Sequence, residues 1–139
     1  MRRLVIDTSI YIDWLNKGRY EDVLFQRDAV KYLSAVVVME LRAGAVLRAD
    51  RRLVQRLETA FERAGRILTP LQGLFAEAGD TLGRLQVEVG YNVGGSHSIV
   101  NDVLIALSAR SIGATVLTRN ERDYRAIERI TPFCLTVVH

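Results

Sequence analysis

Along the chain, short apolar runs alternate with segments whose apolar residues recur every three or four positions. Leu4-Val5-Ile6 is the first such run, and it stops at Asp7-Thr8-Ser9, residue types that end a strand and cap a helix. From Ile10 to Leu15 the spacing is helical, with Trp14 and Leu15 on the inward side, and a second amphipathic segment, Tyr20 to Phe25, follows Gly18. Val30 to Leu33 reads as a second strand. Ser34 is a plausible N-cap for a helix through Val46, in which Gly44 near the end is a tolerable cost. Asp50 to Ala64 is the clearest helix, with Leu53, Leu57, Phe61 and Ala64 on one face and Gly65 as its stop. Arg66 to Leu68 reads as a brief strand, Leu71 to Val89 as a helix opened by Pro70, and Gly90 to Ser98 as a loop. Ile99 to Ile112 is a further helix stopped by Gly113. Thr115 to Leu117 is a strand, Asn120 to Ile127 a short helix or turn, and Leu135 to Val138 the last strand.

Strands thus alternate with helices, which predicts an α/β/α sandwich with a mainly parallel sheet and helices on both faces. With no repeat, low-complexity tract or linker, residues 1–139 are expected to form one domain. A hydrophobic fraction of 49% and a charged fraction of 25% exclude a disordered chain. The net charge of +3 suits a polyanionic partner without specifying one. Cys134 is the only cysteine, so an intrachain disulfide or thiolate metal cluster is excluded, and its apolar neighbours Phe133 and Leu135 predict a small buried side chain. The first apolar run is too short for a signal peptide or a membrane span, so a cytoplasmic protein without membrane association is expected.

In open α/β sheets, sites gather beyond the carboxyl ends of the strands. Asp7 ends the first strand there, and Ser34 ends the second. Glu40 follows on a helix whose other inward positions are apolar. Asp102 falls in the first turns of its helix, and Asn120 and Asp123 follow the Thr115–Leu117 strand. Each alone has a plain structural reading. Asp7 can cap a helix, Asp102 can complement a helix N-terminus, Asp123 can face solvent, and Glu40 can be solvated or paired with Arg42 or Arg48. Together they place acids from four segments at one rim. Converging carboxylates repel one another unless a cation intervenes, and an oxygen-only set suits Mg²⁺ or Mn²⁺. The reaction such a site serves best is phosphodiester hydrolysis.

Val5-Ile6-Asp7-Thr8-Ser9, Val38-Met39-Glu40-Leu41, Asn101-Asp102-Val103-Leu104-Ile105-Ala106 and Leu117-Thr118-Arg119-Asn120-Glu121-Arg122-Asp123-Tyr124 resemble, in order and spacing, the blocks of PIN-domain proteins. Within that family the chain most resembles the VapC toxins of toxin–antitoxin pairs. The resemblance implies a helix-flanked parallel sheet, Mg²⁺-dependent endoribonuclease activity on RNA and neutralisation by a small cognate antitoxin. It further implies a homodimer, with operator DNA met only through the antitoxin. Carried over, Asp7, Glu40 and Asp102 would be the acidic metal-site residues, with Thr8 supporting Asp7 and Thr118 beside the site. The fourth position lies between Asn120 and Asp123. Asp123 is preferred for its charge and Asn120 is accessory. Ser9 stands where an asparagine is common. Arg42 and Arg119 are candidates to hold the RNA backbone.

Other readings fit less well. An aspartyl-phosphate phosphatase wants a second aspartate where this chain has Ser9, and a receiver domain wants one near Leu68-Thr69-Pro70. Walker A, HExxH and dinucleotide fingerprints are absent. His97 in the glycine loop could reach a substrate, although capping or solvent exposure is its plainer role. The alternative function is a PIN-fold binding module, acting in an antitoxin–DNA repressor complex with little or no cleavage. Apolar positions on the Val36–Val46 and Leu53–Ala64 helices could form a groove for an antitoxin helix, or belong to the core.

Overall fold

Leu4, Val5 and Ile6 are almost wholly buried, as befits a strand covered on both faces. In the computed structural model, which describes residues 1–95 and 97–139, they form β1 (Arg2–Ile6) at the centre of the sheet. Around it lie β2 (Ala29–Ser34), β3 (Ile67–Leu68), β4 (Thr115–Thr118) and β5 (Cys134–Val137). The strand order is β3-β2-β1-β4-β5, and every pairing is parallel. The connecting helices are α1 (Thr8–Lys17), α2 (Glu21–Leu24), α3 (Ala35–Gly44), α4 (Arg48–Arg63), α5 (Gln72–Arg84), α6 (His97–Ser111) and α7 (Glu121–Ile130). This is the expected parallel sheet flanked by helices.

The order places a topological switch at β1. The chain leaves β1 for β2 and β3 on one side, then returns to β4 on the other, opening a crevice at the carboxyl ends of β1 and β4. Register then decides which residues meet there. Ile6 pairs with Leu117, so the next residues, Asp7 and Thr118, emerge side by side, and the Asp7 amide donates to the Leu117 carbonyl at 2.8 Å. Beneath the crevice, α6 is buried all round from Asp102 to Ala109. Its hydroxyl there, on Ser108, is satisfied by the Leu104 carbonyl at 2.7 Å.

Several sequence expectations change in detail. Cys134 is exposed, not buried. It lies on β5, an edge strand paired only with β4, and alternate residues of that strand face outward while Leu135 and Val137 are half-buried. On α4 the inward stripe is Val54, Leu57 and Phe61, and Leu53 and Ala64 are exposed. One residue of offset turns a side chain by about 100°, which carries Leu53 off the face packed on β2 and β3. Gly65 ends α4 with φ of 69°, as a C′ glycine does. The helix expected through Val89 changes character at Leu85–Val89, a π-helical turn closed by Gly90 at φ 79°. Ser96 lies outside the described residues, as does the side chain of His97, so the expectation for His97 is not addressed. Among the described residues, no helix is long and apolar enough to cross a membrane.

Candidate active site

Asp7 caps α1, and both oxygens of its carboxylate accept hydrogen bonds. Oδ2 accepts from Ser9 Oγ at 2.7 Å, from the Ser9 amide at 3.4 Å and from Thr118 Oγ1 at 2.8 Å. Oδ1 accepts from the Tyr124 hydroxyl at 2.9 Å. Thr118 Oγ1 in turn accepts from the Asn120 amide at 2.9 Å, which fixes the turn leaving β4. Tyr124 lies fully buried on α7, and burial beside Asp7, Asp102 and Glu40 holds its phenol well above the ordinary range, so it is a donor.

Glu40 reaches the same rim from α3. It sits one turn beyond buried Val36, half-buried, and its Oε1 accepts from Thr8 Oγ1 at 2.8 Å. Thr8 therefore supports Glu40 and not Asp7, because it opens α1 on the side facing α3. Burial and the charge of Asp7 push the Glu40 carboxyl upward, against the lowering effect of hydrogen bonds from Thr8 and Asn101.

Asp102 is the electrostatic centre. It is 5% exposed, and burial together with the charges of Asp7, Glu40 and Asp123 pushes its pKa up to about 9. A hydrogen bond from Tyr124 opposes this rise, and Asn120 Nδ2 donates to Asp102 Oδ2 at 3.2 Å. The same amide donates to Asp123 Oδ2 at 3.0 Å, so Asn120 bridges two acids from α6 and α7. Asp123 is held from its other side by the Tyr91 hydroxyl, 2.7 Å from Oδ1, and the Tyr91 phenol is pushed up to about 12 by burial and this contact.

The charges of Asp7, Glu40 and Asp123 all act on Asp102, so the four acids named from the sequence gather around it, with Asn120 bridging Asp102 to Asp123 and Thr118 against Asp7. The two arginines turn elsewhere. Arg42 forms a 2.6 Å ion pair with Glu58 of α4, and Arg119 is paired with Asp13 of α1. Sequence reasoning missed Tyr124, Tyr91, Asn101 and Asp13. Two of these carried a signal. Tyr124 and Asp13 both occupy inward helix positions, where a polar group demands a buried partner. Tyr91 follows a loop glycine and Asn101 precedes an acid on a helix, and neither position announces a contact. Ser9, which stands where an asparagine is common, is a principal donor to Asp7.

The donor set fits a hard divalent cation. All four acids offer oxygen, and Asp102 lies buried where the charges of the other three converge. Among the described residues, no three acids close on one point as a finished cage.

The PIN domain family model matches residues 4–130, and the chain belongs to that family. In structure it resembles a chain of VapBC2 from Rickettsia felis bound to a DNA fragment from its promoter, with TM-score 0.71, 21% identity and 99% of each chain covered. DNA-bound VapBC from Salmonella typhimurium gives TM-score 0.70 and 22% identity, over 99% of this chain and 98% of that one. FitAcB from Neisseria gonorrhoeae gives TM-score 0.66 and 26% identity, over 95% of each chain. No curated protein matches the chain.

Proposed function

We propose that this chain is a single PIN domain over residues 1–139 acting as a divalent-metal-dependent endoribonuclease, the toxin of a toxin–antitoxin pair. The observation that carries the reading is the position of Asp102, buried among three other carboxylates and short of compensating donors. Asp7, Glu40 and Asp102 would hold Mg²⁺ or Mn²⁺, and Asp123 would complete the set. The bound ion supplies activation of water and neutralises charge building on an RNA phosphodiester. The chain's own residues do the positioning. Ser9, Thr118 and Tyr124 fix both oxygens of Asp7, Thr8 fixes Glu40, and Asn120 sets the separation of Asp102 from Asp123.

An antitoxin partner is supported by the VapBC and FitAB complexes among the structural relatives. It is also supported by a recess of about 170 Å³ between α1, α3 and α4, lined by Leu15, Leu41 and Ala45, with Glu40 on its wall. Exposed Ile12 and Met39 stand on these same helices, as an apolar face for a partner helix requires. Homodimerisation, contact with operator DNA through the antitoxin and a cytoplasmic location complete the proposal.

The test is cleavage of total RNA by antitoxin-free protein with Mg²⁺ and with EDTA, beside Asp7→Asn and Asp102→Asn. Cleavage is expected only with metal, reduced about a hundredfold or more in each variant. Full activity in both variants would reject the site. No cutting by folded protein with Mg²⁺ or Mn²⁺ would favour the binding module.

A further inference from the structure

Beside the carboxylate crevice lies an open groove of about 720 Å³. One wall is the end of the π-helical turn and the residues after it, Val89, Gly90 and Tyr91. The other is α7, which contributes Arg122, Arg125 and Arg129. At spacings of three and four residues these arginines share one helix face, and they span about 10 Å of axis, enough to meet more than one phosphate of a strand. Asp123 belongs to both places. It lines the groove, it accepts from Tyr91, and it is bridged through Asn120 to Asp102.

Resting on the nuclease reading above, we propose that this groove binds the sugar–phosphate backbone of single-stranded RNA flanking the cleaved bond, with Arg125 and Arg129 as its phosphate contacts. The carboxylate cluster repels a polyanion, so a strand can be held across it only if cationic side chains grip the adjoining phosphates. Of the arginines first named from the sequence, Arg119 is committed to buried Asp13, and Arg42 stands on α3, paired with Glu58 and outside this groove. The acids of α7 are Glu121, Asp123 and Glu128, and Asp123 is already held by Tyr91 and Asn120. Arg125 makes an exposed 3.1 Å pair with Glu128, a contact of small worth that a phosphate can replace. Arg122 lies against the Tyr91 phenol, which ties the basic wall to the opposite one. A single row of cations along one helix face tracks the backbone of one strand, as positively charged single-strand grooves do.

The experiment is a fluorescence-anisotropy titration of a labelled, mixed-sequence single-stranded oligoribonucleotide at several salt concentrations. It uses the full chain with Mg²⁺ in the Asp102→Asn background, where cutting is suppressed. Adding Arg125→Ala and Arg129→Ala should weaken binding roughly tenfold at low salt, and should flatten the slope of log K against log salt by about 1.4, at about 0.7 per lost phosphate contact. The Arg125→Lys, Arg129→Lys pair should keep the slope, which separates charge from folding. Arg52→Ala with Arg56→Ala on α4 should leave both quantities unchanged. A wild-type slope in the alanine pair, an equal loss in the α4 pair, or tighter binding of duplex DNA than of RNA would each overturn the groove while leaving the cleavage result standing. A chain that neither cuts nor binds RNA overturns the nuclease reading and the groove together.

Discussion

Asp7 and Asp102 are buried to nearly the same degree, 4% and 5% exposed, on two sides of one crevice, yet the protein treats their charges differently. Asp7 accepts four hydrogen bonds, from Ser9 twice, Thr118 and Tyr124. Asp102 has the Asn120 amide at 3.2 Å and a share of the Tyr124 hydroxyl, and burial together with three acidic neighbours pushes its pKa to about 9. Burial by itself does not set the cost of a carboxylate; the number of donors aimed at it does. The surroundings of Asp7 preserve geometry, whereas those of Asp102 favour its protonated form until a cation takes the place of the proton.

The comparison is tested most strongly by metal. Folded Asp102 holds its proton to about pH 9, while an unfolded aspartate releases it near 3.9. Between those values the folded state binds more protons, so this group's contribution is fully present below about pH 4 and is lost as pH rises through about 9. Thermal melts in EDTA from pH 5 to 9 should show that loss. Saturating Mg²⁺ or Mn²⁺ should reverse it with a gain of about 2–4 kcal/mol at a hundred- to a thousandfold excess over Kd, because the ion displaces the proton and binds best at high pH. Melts insensitive to metal at pH 8 would break the assignment of Asp102.

Single substitutions should separate the two aspartates next. In EDTA at pH 8, Asp102→Asn should raise stability by about 1–3 kcal/mol and remove most of the pH slope, because an amide folds without the proton uptake that Asp102 requires at this pH. Asp7→Asn should lower stability by about 1–2 kcal/mol, because charge-assisted bonds from two hydroxyls and a phenol are weakened. Equal effects of the same sign, read from chemical denaturation, would dissolve the distinction. The smallest effect is expected from Tyr124→Phe. Losing the hydroxyl shared by Asp7 and Asp102 should cost about 1 kcal/mol in stability. It should weaken Mn²⁺ binding about tenfold by calorimetry, whereas a purely packing role for the ring would leave metal affinity unchanged.

Much of this architecture was legible in the pattern of residues. Buried strands show as unbroken apolar runs, and Gly18, Gly65, Gly90 and Gly113 adopt the positive φ that ends their helices or turns. Asp7 and Ser34 act as the caps their residue types suggested. The acids were legible because Asp7 directly follows a strand, Asp102 and Asp123 lie in the first turns of their helices, and Glu40 interrupts an apolar helix. Less legible were the facts that depend on rotation and on edges. Leu53 and Val54 are both good inward residues for α4, and only the packing of that helix on β2 and β3 selects Val54. Cys134 sits between apolar neighbours, but the face it occupies on an edge strand has no cover.

By itself the sequence determined the alternation of strands and helices, the caps and stops between them, and the four segments that carry acids. These are local properties, set by spacing, backbone preference and side-chain chemistry within a few residues. Only the tertiary structure decided that Ile6 pairs with Leu117, so that Thr118 meets Asp7, 111 positions away. It alone decided that Tyr124 spans two aspartates, that Thr8 serves Glu40, and that Arg119 turns to Asp13. Those contacts depend on strand order, register and helix rotation, which burial of the whole core fixes at once and which no single segment encodes.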